Sequence, residues 1–457
     1  MAAVLIAALS PVGHVEPLLA VAEEMVSRGH VVTVMTGATH SESIHAIGAH
    51  PHPLPPEADF DETPFDSAQR ATSSGVDALS QAIIRLFLRP MPHQTAQLCR
   101  ALDQHRYDAI LVDYGFFGIL PLLLGGRADL PPVLYYTPTP LMLSSRDTAP
   151  TGMGRPPATT VTGRMVHRGL TALSQRVLLR NAQRAANRML TELGARRLPV
   201  RLLDVGVLAD RLIVPTVSEF EYQRSDLPAG ARFVGVVRPR PAVGFVAPPW
   251  WAELDGARPV VHVTQGTVDN HDLSRLIEPT ITALADSEVM VVVSTGGRDV
   301  NAIGIPIPTN TYVAEYLPHD QLLPKIDVLV TNGGYGAVQR ALAAGVPVVV
   351  AGSTEDKPEV AARVAWSGAG INLQTGTPTP AAVASAVRRI RTDGQYLRNA
   401  RRLEAAFART DGIAEIAAMV DEVVDERSRE EHVPDERSRE EHVPDERSRE
   451  EPRVARQ

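Results

Sequence analysis

Two sets of short, β-branched apolar segments alternate with longer amphipathic segments along this chain, and a proline-rich stretch separates the two sets. The first set starts with AVLIAAL and VVTVMTG, and the second includes PVVHVTQG, IDVLVTNGG and VPVVVAG. Strands that alternate with helices predict a parallel sheet with helices on its faces. Because 457 residues exceed what one ordinary core holds, we expect an α/β protein of two doubly wound Rossmann-like domains that face a central cleft.

The domain boundaries are predicted from the same patterns. The first domain is expected over residues 1–237, a linker over 238–251, the second domain over 252–394 and a terminal helix over 395–424. Proline cannot pair within a central strand, so the proline-rich stretch is assigned to the linker. Over residues 425–457 the unit DERSREEHVP occurs twice and begins a third time. A unit this rich in charge cannot bury a core, so this tail is expected to be disordered.

Composition removes several classes of partner and compartment. The formal charge of -8 and the pI of about 6.0 argue against a nucleic-acid partner. The single cysteine, Cys99, rules out an intrachain disulfide framework and a cysteine-rich metal site, and it favours a reducing compartment. No stretch approaches the roughly 20 apolar residues that cross a bilayer. We therefore expect a cytoplasmic protein without an integral membrane segment, and a peripheral membrane contact stays open.

A histidine and an aspartate fall where predicted strands end. His14 lies in the SPVGH segment after the first strand, and Asp113 ends the strand in AILVDYG. The carboxyl ends of parallel strands form the edge at which α/β sheets bind ligands. A histidine with a pKa of about 6.5 can act as a general base, and a carboxylate can fix its tautomer and stabilise the imidazolium. A helix-capping role is the alternative for His14.

A glycine-rich turn follows a strand of the second set. In TNGGYGAVQRALAAG the backbone N–H groups at Gly333, Gly334, Tyr335 and Gly336 begin a helix and are expected to point into the cleft. A helix N-terminus carries roughly half a positive charge and binds phosphate groups. The turn is neither a Walker A loop nor a dinucleotide fingerprint. Close helix–sheet packing is the alternative, but VTQGTVD at 263–269 supplies a second glycine turn, and the two together favour a phosphate ligand.

Two long segments of the chain resemble a known family. SPVGHVEPLLAVAEEMVSRGHVVTVMTG resembles the N-terminal signature of the macrolide-type and UDP-dependent family 1 glycosyltransferases. LPHDQLLPKIDVLVTNGGYGAVQRALAAGVPVVVAGSTEDKPEVAARVAWSGAG resembles their C-terminal nucleotide-sugar signature. The likeness extends over residues 1 to about 424. It implies the GT-B fold, with an acceptor-binding first domain, a donor-binding second domain and a final helix that returns to the first.

The resemblance also implies roles for individual residues. His14 matches the catalytic base and Asp113 its partner carboxylate. The implied donor-binding positions are Thr267, Tyr316, Leu317, Asn332, Gly333, Gly334, Tyr335, Gly336, Arg340, Asp356 and Lys357. Within this set, Thr267 matches a hydroxyl residue at the donor phosphate, and Asp356 begins the pair that binds the sugar hydroxyls.

Three of these positions depart from the family pattern. Asn332 replaces the usual phosphate-contacting histidine, Arg340 stands where many members have a ribose-binding glutamate, and Lys357 replaces a glutamine. The donor is therefore open between UDP-glucose, a carboxylated or deoxy sugar and a thymidine nucleotide. The same changes also leave open that donor chemistry has been lost.

The predicted function is an inverting glycosyl transfer in which His14 deprotonates an acceptor hydroxyl. The expected donor is a nucleotide-diphosphate sugar, and neither a metal nor another cofactor is expected. The leucine-, isoleucine-, methionine- and phenylalanine-rich helices of the first domain favour a lipophilic, hydroxylated small molecule as the acceptor. Two alternatives remain, namely a nucleotide-sugar epimerase of the same fold and a non-catalytic binding or activating protein. The sequence indicates no oligomeric state.

Overall fold

The computed structural model describes residues 1–59, 78–127, 129–238, 244–256, 258–267 and 269–432. Within them, two parallel sheets organise the chain, as the alternation of segments predicts. The first sheet has the order β3-β2-β1-β4-β5-β6-β7, and the second has the order β10-β9-β8-β11-β12-β13. In each sheet the first strand lies at the centre and the order reverses beside it, which is the doubly wound topology that opens a ligand crevice at the carboxyl edge.

The first sheet lies between two apolar cores. Its strands are β1 (Ala3–Ala7), β2 (Val31–Gly37), β3 (His50–Leu54), β4 (Ala109–Asp113), β5 (Val133–Tyr136), β6 (Arg211–Val214) and β7 (Ala231–Phe233). Side chains alternate along β1, so that Leu5 belongs to one core and Val4 and Ile6 belong to the other. The proline-containing strand β3 lies at the sheet edge, where its missing N–H groups break no ladder.

The second sheet is built in the same way. Its strands are β8 (Val260–Thr264), β9 (Met290–Ser294), β10 (Thr311–Ala314), β11 (Val328–Thr331), β12 (Val348–Val350) and β13 (Gly370–Asn372). The central strands are buried on both faces, which explains their continuous valine-rich sequences.

Helices cover both faces of both sheets. Those of the first domain are α1 (Val12–Ser27), α2 (Ser41–Ala46), α3 (Ala78–Ile83), α4 (Met91–Gln104), α5 (Leu120–Gly125), α6 (Val161–Leu173) and α7 (Arg180–Glu192). Those that follow are α8 (Ile277–Leu284), α9 (His319–Leu322), α10 (Tyr335–Ala343), α11 (Lys357–Ser367), α12 (Pro380–Thr392), α13 (Gly394–Phe407) and α14 (Gly412–His432). Two π-helical turns (Ile84–Leu88 and Ser174–Leu178) extend α3 and α6.

The single terminal helix predicted over 395–424 is wrong, because the structure has two helices there. The first, α13, packs on α10 of the second domain, whereas α14 packs on α1 of the first. The polar residues between them end α13, and the Asp411 side chain then accepts a hydrogen bond from the Ala414 N–H at the start of α14. Only α14 therefore makes the predicted return to the first domain.

The predicted disorder from residue 425 is also wrong for the first residues of the repeat. Helix α14 continues to His432, and Arg211 of β6 donates to both carboxylate oxygens of Glu426 at 2.8 Å. The helix therefore has a partner on the first domain beyond the predicted boundary. Residues 433–457 lie outside the described residues, as does part of the predicted linker.

Candidate active site

The first catalytic candidate is placed by the start of α1. Helix α1 begins at Val12, directly after Pro11, and the His14 backbone N–H donates to the Pro11 carbonyl at 2.8 Å. His14 therefore lies in the first turn of the helix and not in the preceding loop. Because β1 points its carboxyl end at this turn, the imidazole is held at the crevice edge of the first sheet.

His14 and Asp113 are brought into direct contact. The distance from Nδ1 of His14 to Oδ2 of Asp113 is 2.7 Å, and the two side chains are 25% and 0% exposed. The same carboxylate accepts the backbone N–H groups of Leu9 at 3.2 Å and Gly115 at 3.3 Å. Three donors thus fix a buried carboxylate beneath a partly exposed imidazole.

This arrangement sets the chemistry of the imidazole. An ionised carboxylate only accepts hydrogen bonds, so Nδ1 of His14 carries the proton and Nε2 is the basic nitrogen. A proton taken up at Nε2 would create an imidazolium that Asp113 stabilises. The pair can therefore act as a general base.

The glycine turn before α10 has one glycine in a strained backbone conformation and one with free space around its Cα. Gly333 has φ +96°, and a Cβ there would lie 2.8 Å from Cγ1 of Val350. Gly334, the residue before the helix, has φ -56°, and a Cβ there would meet no atom within 4 Å. The first glycine is thus required by the backbone and by packing, whereas the second leaves space directly in front of the helix N-terminus.

Asn332 joins this turn to the other glycine turn. Its Nδ2 donates to the Gln265 carbonyl at 2.5 Å and lies 3.4 Å from the Asp269 carbonyl. Because it faces two carbonyl oxygens, this end of the side chain must be the NH₂ group. Thr267 is exposed on the turn that Asn332 supports. The structure therefore uses the Asn332 amide to hold two loops together.

Asp356 and Lys357 begin α11 beside the glycine turn, where a Cβ on Gly333 would lie 3.6 Å from Cβ of Lys357. Burial raises the pKa of Asp356 to about 6, although the charges of Lys357 and, more weakly, His14 lower it. The residue before them, Glu355, has φ +55°, a strained conformation for a side chain other than glycine. The charge of His14, in the first domain, thus acts on the carboxyl group of Asp356 in the second domain.

The structure adds a cluster that the sequence did not indicate. Asp269 is buried and accepts hydrogen bonds from Arg275 at 2.9 Å and from Thr354 at 2.8 Å, and Nζ of Lys357 lies 3.6 Å from it. Lys357 also pairs with Glu355. The positive charge of Lys357 is therefore largely balanced by Asp269 and Glu355. The sequence offered one indication of this cluster, because Asp269 follows Thr267 by two residues in the same turn.

Comparison with known proteins decides the family. Residues 278–423 match the family described as "Erythromycin biosynthesis protein CIII-like, C-terminal domain". The chain is 38% identical to the 4'-demethylrebeccamycin synthase of Lentzea aerocolonigenes over 427 residues, which are 93% of this chain and 100% of that protein. It is 34% identical to UDP-glycosyltransferase 2 of Phaeomoniella chlamydospora over 439 residues, which are 92% of this chain and 95% of the relative. The chain is a family 1 glycosyltransferase.

A solved structure agrees with this assignment at the level of fold. The glycotransferase of kitacinnamycin superposes with a TM-score of 0.71 at 22% identity, over 92% of this chain and 98% of that one. The GT-B architecture predicted from the sequence is thus confirmed, and so are the family and the enzyme class. Neither the epimerase nor the non-catalytic partner protein is favoured by these relatives.

Several predicted donor residues of the glycosyltransferase lie apart from the turns. Tyr316 is 64% exposed beside Gly297, and Leu317 is 8% exposed beneath it. Nε of Arg340 donates to the carbonyl of Gly336 at 3.2 Å, so its side chain lies along α10. The ring of Tyr335 is buried against Phe220 with centroids 6.5 Å apart, which leaves only its backbone at the turn. The side chain of Tyr335 thus packs between domains.

His319, which lies next to these residues, was not among the sites predicted from the sequence. His319 begins α9, and its ring meets His262 edge to face with centroids 5.9 Å apart. Burial lowers the pKa of His319 to about 3, helped by the charge of Arg340. This imidazole is therefore neutral at physiological pH. The signal available was its place directly after Leu317 and Pro318.

The described residues contain neither a membrane-spanning helix nor a cluster of metal ligands. No helix among them combines the length and hydrophobicity needed to cross a membrane. Within the same part of the glycosyltransferase, no group of three or more histidine, cysteine, aspartate or glutamate side chains is placed to hold a metal ion.

Proposed function

We propose that the glycosyltransferase transfers a sugar with inversion from a nucleotide-diphosphate sugar to a hydroxyl of a lipophilic small molecule. The observation that carries this proposal is the His14–Asp113 pair, with a 2.7 Å contact and a buried carboxylate, at the crevice edge of the first domain. Asp356 and the open helix N-terminus behind Gly334 supply the second half of the site.

The proposed step moves one proton and exchanges one bond. Nε2 of His14 takes the proton of the acceptor hydroxyl as its oxygen attacks the anomeric carbon. The bond from that carbon to the diphosphate oxygen breaks, and the diphosphate leaves with the electron pair. The N–H groups at the start of α10 would stabilise the developing negative charge. Attack opposite the leaving group inverts the anomeric centre.

The donor is proposed to be a UDP-sugar first and a thymidine diphosphate sugar second. Several relatives carry the name UDP-glycosyltransferase or UDP-glucosyltransferase, and a structural neighbour of lower identity was solved with DTDP. The balanced charge of Lys357 speaks against a carboxylated sugar at this position, because no excess positive charge remains to bind it. A calorimetric screen against UDP-, TDP- and GDP-sugars would assign the nucleotide.

The acceptor, cofactor and compartment are part of the same proposal. A cavity of about 310 Å³ in the first domain is lined by apolar side chains such as Met142, Leu179 and Leu202 and by polar ones such as Gln175 and Gln183, a mixture that suits a lipophilic molecule with hydroxyl groups. The step needs no metal, since the helix N-terminus acts on the leaving diphosphate, so assays with EDTA should retain activity. With one free cysteine and no disulfide to maintain, the cytoplasm is the proposed location.

The decisive variant is His14→Ala. Loss of the general base should lower kcat by about 10²- to 10⁴-fold, while the affinity for the nucleotide changes by less than about twofold, since His14 faces the acceptor. Single-turnover assays and calorimetry measure the two quantities. His45→Ala, an exposed histidine of α2, is the matched control and should behave as the native enzyme. Full turnover by His14→Ala would exclude this role for His14.

A further inference from the structure

One face of the first domain carries exposed aliphatic side chains beside a row of arginines. It is formed by α6, the following π-helical turn and α7. We define this basic–apolar face by two sets of residues. The exposed aliphatic residues are Val161, Met165, Val166, Leu173 and Val177, and the arginines are Arg164, Arg168, Arg176, Arg180, Arg184 and Arg188.

The aliphatic part of the face is unusually open to solvent. Val161 is 66% exposed, Met165 is 64% exposed and Leu173 is 57% exposed. These positions are separated by multiples of four residues, so they lie along an inclined line on the helix surface that turns by about 120° between Val161 and Leu173. A contiguous group of this kind marks an interaction site more often than scattered surface leucines do.

The basic part of the face has few counter-charges nearby: Glu192 follows Arg188 by four residues at the end of α7, and Asp226 lines a cavity with Arg168. Residues 148–191 contain no aspartate and no glutamate, although the whole chain has a net charge of -8. Arg176, Arg180, Arg184 and Arg188 recur every fourth residue and are exposed on the π-helical turn and on α7, the elements that follow α6. In the described part of the chain, the guanidinium groups of the face make no ion pair or hydrogen bond. Neighbouring like charges repel one another, so this row favours an anionic partner.

We infer that the basic–apolar face binds the surface of a bilayer that contains anionic phospholipid. Interfacial helices combine these two features, because arginines pair with lipid phosphates while aliphatic side chains enter the acyl boundary. A single-stranded nucleic acid fits less well, since the face has no aromatic side chain on which a base could stack. A second copy fits less well too, because a symmetric contact would set one arginine row against the other.

The position of the face adds a reason for this contact. The inner side of the same helices, including Thr171, Ser174 and Leu179, lines the 310 Å³ cavity of the first domain. A lipophilic acceptor dissolved in the bilayer would therefore have only the thickness of the helix layer between it and the cavity. This last step rests on the proposed function, whereas binding to the membrane does not.

Flotation of the full chain with vesicles tests the inference without donor or acceptor. The protein should bind vesicles of phosphatidylcholine mixed with phosphatidylglycerol, should not bind phosphatidylcholine alone, and should be released by high salt. Arg180→Gln/Arg184→Gln/Arg188→Gln should weaken binding about a hundredfold, since each arginine near an anionic surface contributes about fivefold. The matched control, Arg388→Gln/Arg391→Gln/Arg398→Gln, makes the same charge change on exposed positions of α12 and α13 and should bind within about twofold of native.

A second variant tests the aliphatic line. Met165→Ser/Leu173→Ser keeps every charge and should also weaken binding, by about tenfold or more, because less apolar area enters the acyl boundary. Equal losses in both triple-arginine variants, or native binding by the serine variant, would overturn the inference. So would an absence of binding to the anionic vesicles. If light scattering shows that the native protein is a dimer and that the serine variant is a monomer, the face binds a second copy instead of a membrane. If only a chain ending at His432 binds the vesicles, the face is occupied by the acidic repeats in the full chain.

Discussion

At the residue scale, Asp356 is the side chain whose ionisation reports most directly on the site. Burial raises its pKa to about 6, against about 3.9 in an unfolded chain. Ionisation of this carboxyl therefore costs folding free energy. That cost is absent below about pH 4, where both states are protonated, and it is fully present above about pH 6. A group kept at such a cost, next to the strained residue Glu355, is typical of a functional site.

Asp356→Asn should consequently separate stability from donor binding. The variant should melt at a higher temperature than the native enzyme well above pH 6, and at the same temperature near pH 4. If Asp356 binds the sugar as proposed, native donor affinity should rise as the pH rises through about 6, because the ionised carboxylate would accept hydrogen bonds from sugar hydroxyls. In the variant the affinity should be lower by about tenfold and independent of pH in this range. Thermal melts and calorimetric titrations with donor, from about pH 4 to well above pH 6, measure the melting temperature and the donor affinity. Asp286→Asn, at an exposed position, is the control. A native-like pH dependence in Asp356→Asn would remove Asp356 from the sugar site.

At the element scale, the turn before α10 contains two neighbouring glycines that differ in what a side chain would disturb: the backbone and packing at Gly333, and open space at Gly334. Gly333→Ala places a side chain at φ +96° and against Val350, so it should destabilise the fold by about 1–3 kcal/mol. Gly334→Ala fills open space at φ -56° and should leave the melting temperature nearly unchanged. If the diphosphate occupies that space, the same substitution should weaken nucleotide binding at least about tenfold. Thermal melts and calorimetry on the pair compare the two effects, and undiminished nucleotide binding by Gly334→Ala would show that the diphosphate lies elsewhere.

Elements also show where the sequence sufficed and where it did not. The two doubly wound parallel sheets and the places of His14 and Asp113 near their carboxyl edge were predictable, because the alternation of strands and helices implies this topology. The structure then supplies their 2.7 Å contact. The packing of the Tyr335 ring between domains was not predictable, because a family motif records position and not the direction of a side chain. The break between α13 and α14 had a signal in Thr410, Asp411 and Gly412, since an Asp-Gly pair marks a turn and aspartate caps helices. The change of the domain on which the two helices pack had none.

At the scale of the whole molecule, a buried ion cluster on α11 joins the two domains, one turn after Asp356. Arg363 of α11 donates to both oxygens of Glu221 at 2.6 and 3.0 Å and to Glu359 at 2.9 Å. Glu359 in turn accepts the backbone N–H groups of Gly152 and Gly154, each at 2.9 Å, from a loop of the first domain. Burial opposes the charge of Arg363, but the carboxylate of Glu221 outweighs it and raises the pKa of the guanidinium. The cluster therefore stays ionised and fixes α11 against the first domain.

Breaking this cluster should therefore uncouple the domains. Arg363→Met removes both guanidinium hydrogen bonds of the buried Glu221 and leaves it with Arg224, 3.9 Å away, as its ion-pair partner. This loss should cost up to about 3–5 kcal/mol and divide one calorimetric unfolding transition into two. Arg401→Met, which breaks the exposed pair with Glu404, should cost less than about 1 kcal/mol and keep a single transition. Adding Glu221→Gln to Arg363→Met should recover part of the loss, because the buried charge is gone while the amide can still bond to the backbone. If Arg363→Met unfolds like Arg401→Met, the contact between the domains depends instead on the apolar packing of Tyr335 on Phe220 and on the return of α14 to α1.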